Sequence, residues 1–89
     1  MTTHELKTWP SAFRPLLSGR KLFELRKNDR DFQVGDRLFL REWDPDGRGY
    51  TGRMLRATVG YILHAGAFPG LEDGYVVLGL SSVFSGDPL

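Results

Sequence analysis

Two runs of alternating side chains constrain the fold of this chain more than any other feature. From Arg37 to Trp43, Leu38 and Leu40 take one parity while Arg37, Phe39 and Arg41 take the other. From Arg53 to Leu63, the residues Leu55, Ala57, Val59 and Tyr61 share a parity, and Gly60 marks a place for a bulge. Successive side chains of a strand leave opposite faces, so a period of two predicts half-buried strands. Between the runs stands Asp44-Pro45-Asp46-Gly47, continued by Gly49 and Gly52, a composition that turns the chain back on itself.

The remaining segments fit around this pair. Tyr75 to Leu80 is nearly all apolar and reads as an interior strand, and His4 to Lys7 reads as a short first strand. Phe13, Leu16 and Leu17 recur at helical spacing after Trp9-Pro10. Ser11 is a candidate N-cap and Gly19 a candidate stop, which predicts one short helix over 11–18 with Pro15 in its first turn. Lys21 to Lys27 is a further strand, with Phe23 and Leu25 expected to face the core and Glu24 and Arg26 to project together on the other side. Asn28 to Asp31 and Gly35-Asp36 are turn signals, and His64 to Gly74 is loop-like. One helix and about five to six strands joined by short turns predict a mainly β fold: a small antiparallel β-barrel with the helix after its first strand. Residues 1–80 are expected to form a single domain, with 81–89 a loose C-terminal tail.

A chain of 89 residues builds only a thin core, so clefts and surface grooves are the expected working sites. There are no cysteines, which removes disulfides and thiolate metal sites. The two histidines, His4 and His64, stand apart without ligand spacing, so no metal is expected. No phosphate-binding glycine loop, dinucleotide fingerprint or nucleophile elbow occurs, and no cofactor is expected. The start, MTTHELKTW, lacks the apolar run of a signal peptide, and no stretch is long enough to span a membrane; a cytoplasmic protein, monomeric by default, is the expectation.

The net charge is only +1, but its distribution is uneven. Most of the basic excess lies between Lys7 and Arg30, and the densest stretch is GRKLFELRKNDRD, residues 19–31. A segment of this kind suits an anionic ligand. Lys21 stands where the helix gives way to the strand, within reach of a phosphate or a carbonyl. Glu24 is placed to orient Arg26, whose planar fork matches phosphates and base edges. Lys27, Asn28 and Arg30 extend the polar surface, and Trp9, just before the helix, is placed to stack on a base. Phe39, Trp43, Tyr61 and Tyr75 are read as mainly core.

Gly19, Lys21, Glu24 and Arg26 spell G-x-K-x-x-E-x-R. This resembles the signature of the ASCH domains, small β-barrels of the PUA-like superfamily. The flanking HELKTWP and FQVGD, with REWDP, YTGR and YVVLGL, are similar to one small ASCH-like group of bacteria and their phages. The resemblance implies an RNA-binding module that holds single-stranded RNA or a modified nucleotide in a cleft between helix and barrel. The residues it implies are Lys21, Glu24 and Arg26, with Lys27, Arg30 and Trp9 nearby. It also implies an alternative, since some members are hydrolases: N4-acetylcytidine amidohydrolases, and relatives with ribonuclease activity. The amidohydrolases use the signature lysine, a threonine three residues later and a downstream glutamate. Lys21 matches the first, Glu24 replaces the threonine, and Glu72 or Asp73 would stand for the last. The missing hydroxyl favours binding over deacetylation, with Lys21 and Glu24 the catalytic pair if the chain is an enzyme.

Overall fold

The structure, a computed structural model, describes residues 1–67 and 69–85. Strand β1 (Thr3–Thr8) leads into helix α1 (Pro10–Leu17) and strand β2 (Phe23–Lys27). Strands β3 (Arg37–Asp44), β4 (Gly49–His64) and β5 (Tyr75–Ser85) follow, with a short 3₁₀ turn at Ala65–Ala67. All five strands form one sheet in the order β1-β3-β4-β5-β2. Only β1 and β3 run parallel; the other neighbours are antiparallel. The sheet curls into a half-barrel whose edges, β1 and β2, come together at one end. The expected mainly β barrel with a single short helix after the first strand is therefore what the chain forms.

β4 is the spine. Its first half pairs with β3 and the tail of β5, its second half with the start of β5. The register shifts around Val59, as Gly60 suggested. A Cβ at Gly60 would lie 2.9 Å from the Cβ of Ser81, so the two strands approach there as only glycine permits. The bulge also changes which face the chain presents. Leu55, Ala57 and Val59 are buried, but Tyr61, which simple alternation would bury, is 67% exposed. Phe39 and Trp43 likewise stand half-buried on the outer face beside Arg41, and Tyr75 is half-buried, so these aromatics are not the core. That core is Leu6, Phe13, Leu16, Phe32, Leu38 and Leu40 with the inward residues of β4 and β5. α1 supplies Phe13 and Leu16 and lies over the concave side of the sheet.

The helix begins at Pro10, one residue before the expected start. Trp9, not Ser11, is its N-cap, in extended backbone and without a side-chain cap bond, and Pro10 at the first helical position needs no donor. Pro15 consequently lies in the second half of the helix. Gly19 ends it as expected, at φ +77°, with Gly19 N–H donating to Leu16 O at 3.1 Å and Arg20 N–H to Pro15 O at 3.0 Å. β5 runs on to Ser85 by pairing with the first half of β4, so residues 81–85 are sheet and not tail; 86–89 lie outside the described residues. Among the described residues no helix is long and apolar enough to cross a membrane.

At the barrel end away from the helix start, His4 Nε2 and Asp36 Oδ2 are 2.8 Å apart and both residues are buried. Asp36 also accepts from the backbone N–H of Gln33 at 3.0 Å and of Thr2 at 3.3 Å. The bond from His4, helped by the two backbone donors, holds the Asp36 carboxyl below its ordinary value despite the opposing push of burial. A depressed carboxylate stabilises the fold fully above its unfolded-state pKa and less as pH falls through the folded value. Asp36→Asn is expected to lower stability at neutral pH by about 1–3 kcal/mol. It should also flatten the loss of stability on acidification. Urea melts from neutral to acid pH check both, and an unchanged acid slope would count against the assignment.

Candidate functional site

Lys21, Glu24 and Arg26 converge, but with the parity of β2 opposite to the expected one. Glu24 is 2% exposed, whereas Phe23 and Leu25 are 48% and 55% exposed. The cause is visible in the partners of the carboxylate. Lys21 Nζ donates to Glu24 Oε1 at 3.0 Å and Arg26 Nε to Glu24 Oε2 at 3.0 Å. Lys21 Nζ also reaches the carbonyl of Ala12 on α1 at 3.3 Å. Arg26 Nη2 reaches Thr8 Oγ1 on β1 at 3.0 Å. With both oxygens met by cations, Glu24 can be buried. No comparable network would exist on the outer face, so Phe23 and Leu25 are turned outward.

A second carboxylate lies alongside. Thr8 is the register partner of Glu42, and each is 1% exposed. Glu42 receives Arg53 Nε at 2.8 Å, Arg53 Nη2 at 3.1 Å and Thr51 Oγ1 at 2.9 Å, and Arg14 Nε stands 3.8 Å away. Burial pushes its pKa up, but the hydrogen bonds from Arg53 and Thr51 and the nearby cations outweigh burial and hold it below the ordinary value. Sequence reasoning missed Thr8, Glu42 and the latter's partners. The signal was present: His4-Leu6-Thr8 and Leu38-Leu40-Glu42 each put a polar residue at the end of an apolar parity.

Where β1 and β2 face each other there is a cavity of about 190 Å³. Lys7, Arg26, Lys27 and Arg30 line it, against one acid, Asp29. Its floor is Leu6 and Phe32. The loop that carries Asp29 and Arg30 is tied down at both ends. Asn28 N–H donates to Gly74 O at 2.7 Å, and Asn28 Oδ1 accepts from Phe32 N–H at 3.1 Å. The structure thus brings Arg26, Lys27 and Arg30 to one cavity and adds Lys7. Lys21 and Glu24 lie behind Arg26 and hold it. Trp9 is 54% exposed at the helix start and does not line that cavity. Glu72 and Asp73 precede β5 near Asn28, at the end of β2 opposite Lys21, so neither joins the lysine.

Against this geometry the comparisons are direct. The family described as "Domain of unknown function (DUF3850)" matches residues 3–80. The chain belongs to the DUF3850 family. This DUF3850 chain is also similar to an "Uncharacterized 12.9 kDa protein in GpA 3'region" of Escherichia phage P2, at 39% identity over 56 residues. The aligned part is 63% of the chain and 50% of that phage protein, so the chain spans about half the length of the curated relative it matches.

The Glu24 network in this DUF3850 protein has a measurable stake in stability. Thr8→Val keeps shape but leaves the Arg26 donor facing a methyl group, and is expected to destabilise by about 1.5–3 kcal/mol. Glu24→Ala leaves two cations unmatched and is expected to cost more, about 3–5 kcal/mol. Chemical denaturation of both variants tests the order; a Glu24→Ala protein as stable as Thr8→Val would contradict it.

Proposed function

We propose that the protein is a nucleotide- or single-stranded-RNA-binding module of the ASCH, PUA-like kind, whose ligand phosphate enters the cavity between β1 and β2. The observation that carries this reading is the lining of that cavity, where Arg26, Lys27 and Arg30 stand against one acid at the open seam of a half-barrel, with Lys7 at the rim and its ammonium over Trp43. Arg26 is fixed by Glu24 and Thr8, so its guanidinium is already oriented before a ligand arrives. Lys27 and Arg30 are exposed and supply charge without being needed by the fold.

The hydrolase reading draws on one contact, the 3.0 Å approach of Lys21 to Glu24, a lysine beside a carboxylate. In this arrangement, however, Glu24 is closed off between two cations and Lys21 also serves Ala12 O, so both groups are engaged in holding the strand. Binding is the better-supported role.

Affinity for short single-stranded RNA is expected to fall with salt, with a log–log slope of roughly −1.4 to −2.1 for two or three neutralised phosphates. Lys27→Ala combined with Arg30→Ala should weaken binding and flatten that slope. Fluorescence anisotropy reads both, and no binding at low salt across several RNA sequences would sink the proposal. Turnover of N4-acetylcytidine and of short RNA, measured beside it, is expected to be absent. Hydrolysis abolished by both Lys21→Arg and Glu24→Gln would promote the enzyme instead, since an arginine keeps the charge but cannot act as a base.

A further inference from the structure

A second cationic surface lies on the outside of the sheet, away from the seam. Strand register gathers the outward side chains into rows. One row is Thr3, Arg37, Thr58 and Ser82; the next is Glu5, Phe39, Arg56 and Phe84. Between them runs an open groove of about 580 Å³ whose side-chain walls are Arg37, Phe39, Arg56 and Phe84, with the hydroxyls of Thr3 and Thr58. No acid lines it. The Arg56 guanidinium stands 5.9 Å from the Phe39 ring centroid.

The same alternation continues along β3. Arg41 lies 3.7 Å over the Tyr50 ring and Lys7 4.0 Å over the Trp43 ring, and the two rings are 5.0 Å apart. The only carboxylate in the two rows, Glu5, is 3.2 Å from Arg41. Arg37, Arg56 and Lys7 have no carboxylate partner among the described residues. Phe84 is 55% exposed and Tyr50 42%, so both present ring area to solvent.

We infer that this outer face of β1, β3, β4 and the end of β5 is a platform for single-stranded nucleic acid, with bases stacked on Phe39 and Phe84 and phosphates met by Arg37 and Arg56. Charge complementarity names the ligand as a polyanion, and the rings between the guanidiniums narrow it to one with exposed flat faces. A duplex hides its bases, whereas a single strand offers them, and every base has a face that stacks on a ring or a guanidinium plane. Rows recur every second residue, about 6.6–6.8 Å along a strand, a step of the same order as that between phosphates of an extended chain. Lys7 borders both the seam cavity and the ring of Trp43, so a strand can pass from one to the other. The inference stands on the outer face alone and does not need the seam to bind anything.

The test uses the full chain with two probes: a labelled single strand of roughly ten uridines, within the site size such platforms cover, and uridine monophosphate. Arg37→Glu with Arg56→Glu should lower affinity for the oligomer at least tenfold, and Phe84→Ala about fivefold. All three side chains are on the outer face, and circular dichroism is expected to show the fold unchanged. The monophosphate reports on the seam, where Lys27→Ala with Arg30→Ala should act and the outer-face variants should not. A duplex of equal length should bind at least tenfold more weakly than the single strand. Oligomer affinity unmoved by the charge reversals, or equal for duplex and single strand, or absent altogether, would overturn the inference whatever the monophosphate does.

Discussion

The shared Glu24 carboxylate is the interaction on which the arrangement of this protein turns. One buried anion is held between Lys21 and Arg26, and those two cations in turn hold α1 through Ala12 O and β1 through Thr8. An ion placed in a low-dielectric interior is stable only when its partners are close and its lone pairs filled. Here that condition does structural work, because meeting it draws a helix and two sheet edges to a single point. The seam cavity is a by-product of the same demand. Arg26 must face inward to reach Glu24, and in doing so it stands at the cavity with Lys27 and Arg30 after it in the chain.

Much of the fold was legible because it follows from short-range rules. Alternation located β3 and β4, a nearly all-apolar run located the start of β5, Gly19 stopped the helix, and Gly60 marked the bulge. What was not legible depended on partners distant in sequence. The parity of β2 is the clearest case. Phe23 and Leu25 look like the core face when hydrophobicity alone is counted. The outcome was decided by Thr8 and Ala12, which give Arg26 and Lys21 something to bind, and no local pattern reports them. Tyr61 was misread for a different reason: the bulge that Gly60 announced also reverses the faces after it, and the two facts have to be combined.

The candidate site divides in the same way. The stretch GRKLFELRKNDRD contains the three cations that line the seam, Arg26, Lys27 and Arg30, and the pair behind them, Lys21 and Glu24, that holds Arg26. Lys7 joins them only because β1 lies opposite β2 across a gap that the sheet order creates. The outer face was obscured by a habit of reading aromatic residues in strands as core. Arg37, Phe39 and Arg41 share a parity in the sequence, and the two arginines on it argue for solvent.

The sheet order has one more consequence. β1 and β2 are both edges, and each carries a row of backbone groups without a strand partner on one side. Such edges invite pairing with other chains. β2 adds exposed Phe23 and Leu25 to that invitation. The protein answers by turning its two edges toward one another and pinning them with the Arg26–Thr8 hydrogen bond, while Lys7 and Lys27 bring like charge to any approaching copy. Arg26, which the Thr8 bond uses to close the two edges, also lines the seam cavity, so a substitution there would loosen the edge pairing and reshape the cavity together.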